Sequence, residues 1–214
     1  MFMAILPFRR SSGGYQYYQL TLYIIVINVG IFVLNLINDQ VGPYLALNPI
    51  LFQEGFYWQP LSYMFLHTEP MHLLFNMLAL FFFSFEVERQ MGSIPFLFFY
   101  LASGIGAGLL SFVSYILTGT MSVFLLGASG AIYAVLLAFA CFNPYAKIYL
   151  FAIIPISAPW LVVGYAAVET VFAFVDKFGG GVAHLTHLFG LLIGYLWMLI
   201  RYRLDLIRIL MHKD

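Results

Sequence analysis

The sequence predicts an all-α membrane protein, a polytopic bundle of six transmembrane helices forming one domain over residues 1–214 with a short tail at each end. Three observations predict it. Hydrophobic residues make up 63% of the chain and charged residues 8%, against about 45–50% and about 25% in a soluble globular domain. The apolar residues gather into six stretches, each near the roughly 20 residues that cross a hydrocarbon core as a helix. Basic residues fall almost entirely at one end of the spans those stretches would form.

In order, the stretches run from Leu20 to Ile37, Leu61 to Phe85, Ile94 to Leu117, Val123 to Phe142, Ile154 to Val175 and Val182 to Ile200. The fifth is interrupted by Pro155 and Pro159, so its helix is expected to start between Pro155 and Trp160 after an interfacial lead-in. Between the first two spans, the segment Asn38 to Gln59 has Asp39 and Glu54 but no Lys or Arg, and its aromatic residues predict a structure lying in the headgroup region. Six spans place Arg9, Arg10, Arg89, Lys147, Arg201, Arg203, Arg208 and Lys213 on one side and only Lys177 opposite. Both termini are therefore expected in the cytoplasm and the protein in the plasma (inner) membrane. The lone Cys141 cannot make an internal disulfide, and no basic patch supports nucleic-acid binding.

Inside these spans a few polar residues share a depth. At about 1.5 Å per residue, Ser129 and His187 both lie about 21–22 Å above the inner boundary, with His72 about 21–24 Å and Asn76 about 15–18 Å up. On the sixth span His187, Gly190 and Gly194 share a face, where small residues allow close approach of a neighbouring helix. Ser129 and Tyr133 are one turn apart, as are His72 and Asn76. Three faces can thus converge on one polar pocket.

That set suits acyl-transfer chemistry. A serine hydroxyl needs a base to take its proton, and a neutral imidazole in hydrogen-bond reach is the usual one. Asn76 and His72 can donate to the oxyanion that develops, as can the backbone N–H groups at the positive end of the fourth helix. Gly127 and Gly130, either side of Ser129, are expected to let the backbone turn tightly and approach a substrate carbonyl. No cofactor or metal is required.

The motifs resemble those of the rhomboid intramembrane serine proteases of the basic six-span type. The matching residues are Trp58, His67-x4-His72-x3-Asn76, Glu88 to Gly92, the glycines 104, 106 and 108, Gly127-x-Ser129-Gly130 with Tyr133, and His187-x2-Gly190-x3-Gly194. By that resemblance Ser129 is the nucleophile and His187 the base of a dyad, Tyr133 stacks beside the histidine, and His72 and Asn76 help form the oxyanion site. It also implies substrates that are single-span membrane proteins, cut in or beside their transmembrane segments. One departure is Trp58-Gln59, where the family often has Trp-Arg. A second histidine, His184, precedes His187, and the following glycines select His187 as the base.

Glu169 lies inside the fifth span, where a carboxylate is a functional candidate by default. It can orient a histidine as the third member of a triad, but the resemblance implies a dyad, which favours a structural partner of His184. Readings from other classes are a catalytically inactive binder of transmembrane helices, a polar-lined transport bundle, and a metal or haem site built from His67, His72, His184 and His187. There is no His-Glu-x-x-His for a zinc protease, and the aspartates lie in loops or tails.

Overall fold

The structure, a computed structural model, describes residues 18–150, 153–175 and 181–211; Arg9, Arg10, Lys177 and Lys213 of the charge argument lie outside them. Among these described residues five helices are long and apolar enough to cross a membrane, namely Leu20–Ile37, Pro70–Met91, Ser93–Thr118, Ala158–Val175 and His184–Tyr202, and the shorter apolar helix Ser129–Phe142 joins them.

Helix α1 (Leu20–Ile37) buries only Thr21, Ile24, Asn28 and Phe32. That spacing is a single seam, and the remaining apolar side chains face outward as lipid-facing residues do. Short helices α2 (Val41–Leu45), α3 (Pro49–Gln53) and α4 (Gln59–Ser62) follow, with a 3-10 turn over Tyr63–Phe65. Asn48 caps α3, its side-chain oxygen accepting from the backbone of Ile50 and Leu51 at 3.0 Å each. Gln59, where the Trp-Arg pair is broken, is fully buried and ties this segment together. It accepts from the Asn48 N–H at 3.1 Å and donates to the Pro43 carbonyl at 3.2 Å, while the Trp58 indole donates to the Tyr44 carbonyl at 2.9 Å.

Next, α5 (Pro70–Ala79), a π turn over Leu80–Ser84 and α6 (Phe85–Met91) form the second spanning helix. After it come α7 (Ser93–Thr118), α8 (Ser129–Phe142), strands β1 (Lys147–Leu150) and β2 (Ile154–Ser157), α9 (Ala158–Val175) and α10 (Gly181–Trp197). A π turn over Met198–Tyr202 extends α10, and α11 (Leu206–Met211) closes the described chain. The strands form an antiparallel hairpin in register Lys147 with Ser157, a small exception to an all-helical expectation. It occupies the interfacial lead-in, and α9 starts with Pro159 in its first turn, where proline is tolerated.

The starts of two spans need correction, and the second span also runs on to Met91. The second span was expected from Leu61, yet its helix starts at Pro70 behind an extended Glu69, because a residue preceding proline is pushed out of the α region. Tyr63, Met64 and Leu66 instead plug the bundle, with the Tyr63 hydroxyl donating to the Gly104 carbonyl at 2.6 Å. The fourth span was expected from Val123, but α8 begins six residues later. The chain before it is extended, and at membrane depth such backbone survives only where protein satisfies it. Here Leu47 and Leu125 exchange both backbone hydrogen bonds at 2.9 Å, the Gly127 N–H donates to the Tyr63 carbonyl at 2.9 Å, and the Asn48 amide donates to the Val123 carbonyl at 2.9 Å.

Helix α8 is buried on nearly every side, and α7, α9 and α10 pack around it. The closest approach is with α10. A Cβ on Gly190 would lie 2.0 Å from the Gly130 carbonyl oxygen, and one on Gly194 would lie 2.8 Å from the Ala134 Cα. At the basic end, Gln90 donates to the Asn143 side chain at 3.1 Å and the Phe142 and Tyr202 rings meet at 5.3 Å. The ends of α6, α8 and α10 are thus gathered together, and with them the described basic residues that follow these helices.

The start of α1 is fastened at that same end by Glu88. This carboxylate is fully buried and accepts from the Leu20 N–H at 2.8 Å, the Thr21 N–H at 2.9 Å, the Thr21 hydroxyl at 2.7 Å and the Ser93 hydroxyl at 2.5 Å. It satisfies the orphan donors of a helix N-terminus and complements its dipole. Glu88→Ala should therefore destabilise the protein by about 1–3 kcal/mol for each buried donor it orphans. Thermal unfolding in detergent checks this, with Ser93→Ala expected to cost less.

Candidate active site

Gly127 sits at φ 109°, a conformation that side-chain-bearing residues rarely adopt. It turns the extended segment into α8 and leaves Ser129 in the helix's first turn. A Cβ on Gly127 would lie 2.8 Å from Cε1 of His72 and 3.8 Å from Nδ2 of Asn76, so α5 presses both side chains against this turn. Gly130 does not share the turning role expected of it. It lies inside α8, buried between Ala107 and Thr186 and against Gly190.

One turn of α10 before Gly190, His187 meets Ser129: its Nε2 lies 2.8 Å from the serine Oγ. Tyr133, one turn along α8 from Ser129, stacks on the imidazole with ring centroids 4.4 Å apart and planes 9° from parallel. The ring is therefore fixed in plane by the tyrosine and in height by the glycine contact below it. Ser129, Tyr133 and His187, placed together by depth and face in the sequence, are in contact here.

The second pair, His72 and Asn76, belongs to the same pocket through Gly127. Asn76 is held from behind by His67, the first residue of the His67-x4-His72-x3-Asn76 motif. His67 is fully buried, and its Nε2 accepts from the Asn76 amide at 3.0 Å. The rings of His67 and His72 contact edge to face at 4.9 Å. With Nε2 accepting, the ring proton of His67 resides on Nδ1, which faces the Phe65 carbonyl without an aligned hydrogen bond. Asn76 keeps a second amide N–H for another acceptor.

Glu169 is the larger surprise. It is 6% exposed and projects from α9 to both histidines of α10. Its Oε2 lies 2.5 Å from Nδ1 of His184, as the structural pairing expected. Its Oε1 takes the Tyr133 hydroxyl as a donor and also lies 3.0 Å from Nδ1 of His187. His184 stacks on Phe172 of α9 with centroids 5.3 Å apart and planes 19° from parallel. Among the described residues, Glu169, His184 and His187 form a group whose potential ligand atoms all lie within 4.8 Å of one another; His67 and His72 pair elsewhere and do not join it. Asp205 accepts from the Tyr195 hydroxyl and the Ile207 N–H, away from the pocket.

Fold and site together define a polytopic helical membrane protein with a partly buried Ser–His pair among its helices. Comparison with known proteins places it more narrowly: residues 54–204 match the Rhomboid domain family model, and the chain belongs to the rhomboid family. It is 31% identical over 195 residues to the rhomboid protease GlpG of Klebsiella pneumoniae, a match covering 87% of this chain and 62% of that protein. To the putative rhomboid protease YdcA of Bacillus subtilis it is 30% identical over 145 residues, covering 67% of this chain and 66% of that one. It is 45% identical over 76 residues to the RHOMBOID-like protein 2 of Arabidopsis thaliana, covering 36% and 22% respectively. In each case the match spans less than two thirds of the relative's length.

His67 generates a pH dependence of stability. Burial holds its pKa down to about 4 from an ordinary 6.5, with the neighbouring His72 acting in the same direction. Between those values the unfolded chain binds a proton that the folded one does not, so this contribution is full above pH 6.5 and is lost as pH falls toward 4. Unfolding in detergent should show a loss on the order of 1–3 kcal/mol across that window, and His67→Gln should flatten it.

Proposed function

We propose that the protein is an intramembrane serine endopeptidase that cleaves transmembrane or juxtamembrane segments of single-span membrane proteins. The observation that carries this reading is the 2.8 Å approach of the Ser129 hydroxyl to the His187 imidazole inside the helical bundle. His187 takes the serine proton as the oxygen attacks the scissile carbonyl, then returns it to the leaving amine. Water hydrolyses the resulting acyl-enzyme. Tyr133 keeps the imidazole in the plane this transfer needs. Nothing in the sequence of steps calls for a metal or cofactor.

The tetrahedral intermediate carries an oxyanion, and its donors are assigned to His72, to the second N–H of Asn76 and to the backbone at the start of α8. His67 supports this reading by holding one Asn76 N–H and so orienting the other. Gly127 contributes space, because any side chain there would strike His72. The basic end of the bundle is assigned to the cytoplasm and the protein to the plasma (inner) membrane by the positive-inside rule, which puts the pocket in the outer half of the bilayer. Family membership favours the peptidase reading, since the relatives in Klebsiella and Bacillus bear the name rhomboid protease.

Ser129→Ala should abolish cleavage of a single-span model substrate and labelling by a fluorophosphonate probe while the protein still inserts. Turnover by that variant would remove the assignment. Asn76→Ala should slow cleavage about 10²–10³-fold, the usual loss for one oxyanion donor, with KM little changed. A defect confined to KM or to unfolding temperature would make Asn76 a packing residue.

A further inference from the structure

One side chain beside His187, that of Glu169, reaches the ring nitrogen that the proposed reaction does not use. For His187 Nε2 to receive the serine proton, the ring must carry its own proton on Nδ1. An isolated imidazole does not hold that tautomer by itself. In this pocket Nδ1 is buried, and the acceptor within 3.0 Å of it is Oε1 of Glu169.

We propose that Glu169 is the positioning residue of His187, holding its proton on Nδ1 and its Nε2 toward Ser129. The assignment rests on the reading of Ser129 and His187 as nucleophile and base. The arrangement of the carboxylate's two oxygens carries it. A buried carboxylate in hydrocarbon requires donors, and a purely structural pairing with His184 would be complete with Oε2 alone. Oε1 is instead aimed at the pocket by the Tyr133 hydroxyl, and Tyr133 is the same residue whose ring lies flat on His187. Tyr133 thus fixes both partners of the Glu169–His187 contact. The His187 N–H does not point straight at Oε1 in this structure, and such bonds commonly tighten only once substrate is bound. His184, gripped by Oε2 and stacked on Phe172, holds the carboxylate from its other side.

The decisive reading is spectroscopic, because loss of activity alone would not separate positioning from folding. In full-length Ser129→Ala protein with ¹⁵N-labelled histidine, His187 should appear as the Nδ1–H tautomer, and Glu169→Gln in that background should shift it toward Nε2–H. In otherwise native protein, Glu169→Gln should lower kcat about 10²–10⁴-fold, by analogy with loss of the carboxylate of a serine-protease triad, with KM little moved. An unchanged tautomer on Glu169→Gln, whatever the rate, overturns the proposal. Should Glu169→Gln fail to fold, the Ser129→Ala protein alone decides: Nδ1–H supports the proposal and Nε2–H overturns it. Activity of the native protein lost to a chelator and restored by zinc would assign Glu169, His184 and His187 to a metal and overturn it as well. Turnover by Ser129→Ala would instead remove the underlying peptidase reading and is scored separately.

Discussion

The contact between Gly190 and the Gly130 carbonyl is the constraint on which the site depends. Any side chain at residue 190 would collide with the α8 backbone, so α10 can approach α8 closely only along this glycine face. Helix–helix association in lipid lacks the hydrophobic driving force available in water and relies on such close backbone packing. His187 lies one turn along α10 from Gly190 and Ser129 is the residue before Gly130. The distance between the two side chains is consequently set by backbone packing, which is stiffer than any hydrogen bond between them.

Around this contact the bundle handles buried polarity in a consistent way. Among the described residues two carboxylates are buried, and each is met by side chains or N–H groups from different elements. Glu88 gathers the start of α1 and the start of α7, whereas Glu169 gathers α8 and α10 from α9. One serves to fasten a helix end and the other bears on the pocket, although the electrostatic problem each solves is the same. The extended chain before α8 follows the same economy, its backbone groups being taken up by Leu47, Asn48 and Tyr63 rather than by lipid.

Much of this was legible in the sequence because a membrane imposes a ruler. Helix α1 coincides with its apolar stretch from Leu20 to Ile37, and equal depth predicted the meeting of Ser129 with His187. Boundaries failed where hydropathy is blind to backbone conformation. Leu61 to Leu66 and Val123 to Leu126 are as apolar as any span, but Pro70 and the positive φ of Gly127 decide where the helices begin. The roles of His67 and Glu169 were hidden for another reason. Their partners lie on other elements, and depth along a helix does not reveal which neighbour a side chain turns toward. Glu169 can be matched to His184 or to His187 by depth, and it touches both.

The shortness of α8 has an electrical consequence. Fourteen residues span about 21 Å, so the helix is shorter than a hydrocarbon core about 30 Å thick. Its partial positive end, which on an ordinary surface helix is quenched by water and counterions, is here packed against α5 and α10 and is only partly exposed. Fields in such surroundings are stronger than in water and less screened by salt. A negative charge placed beside Ser129 would therefore meet a field that dissolved salt weakens less than at a surface helix, and ionic strength should act on this protein mainly through its basic rim.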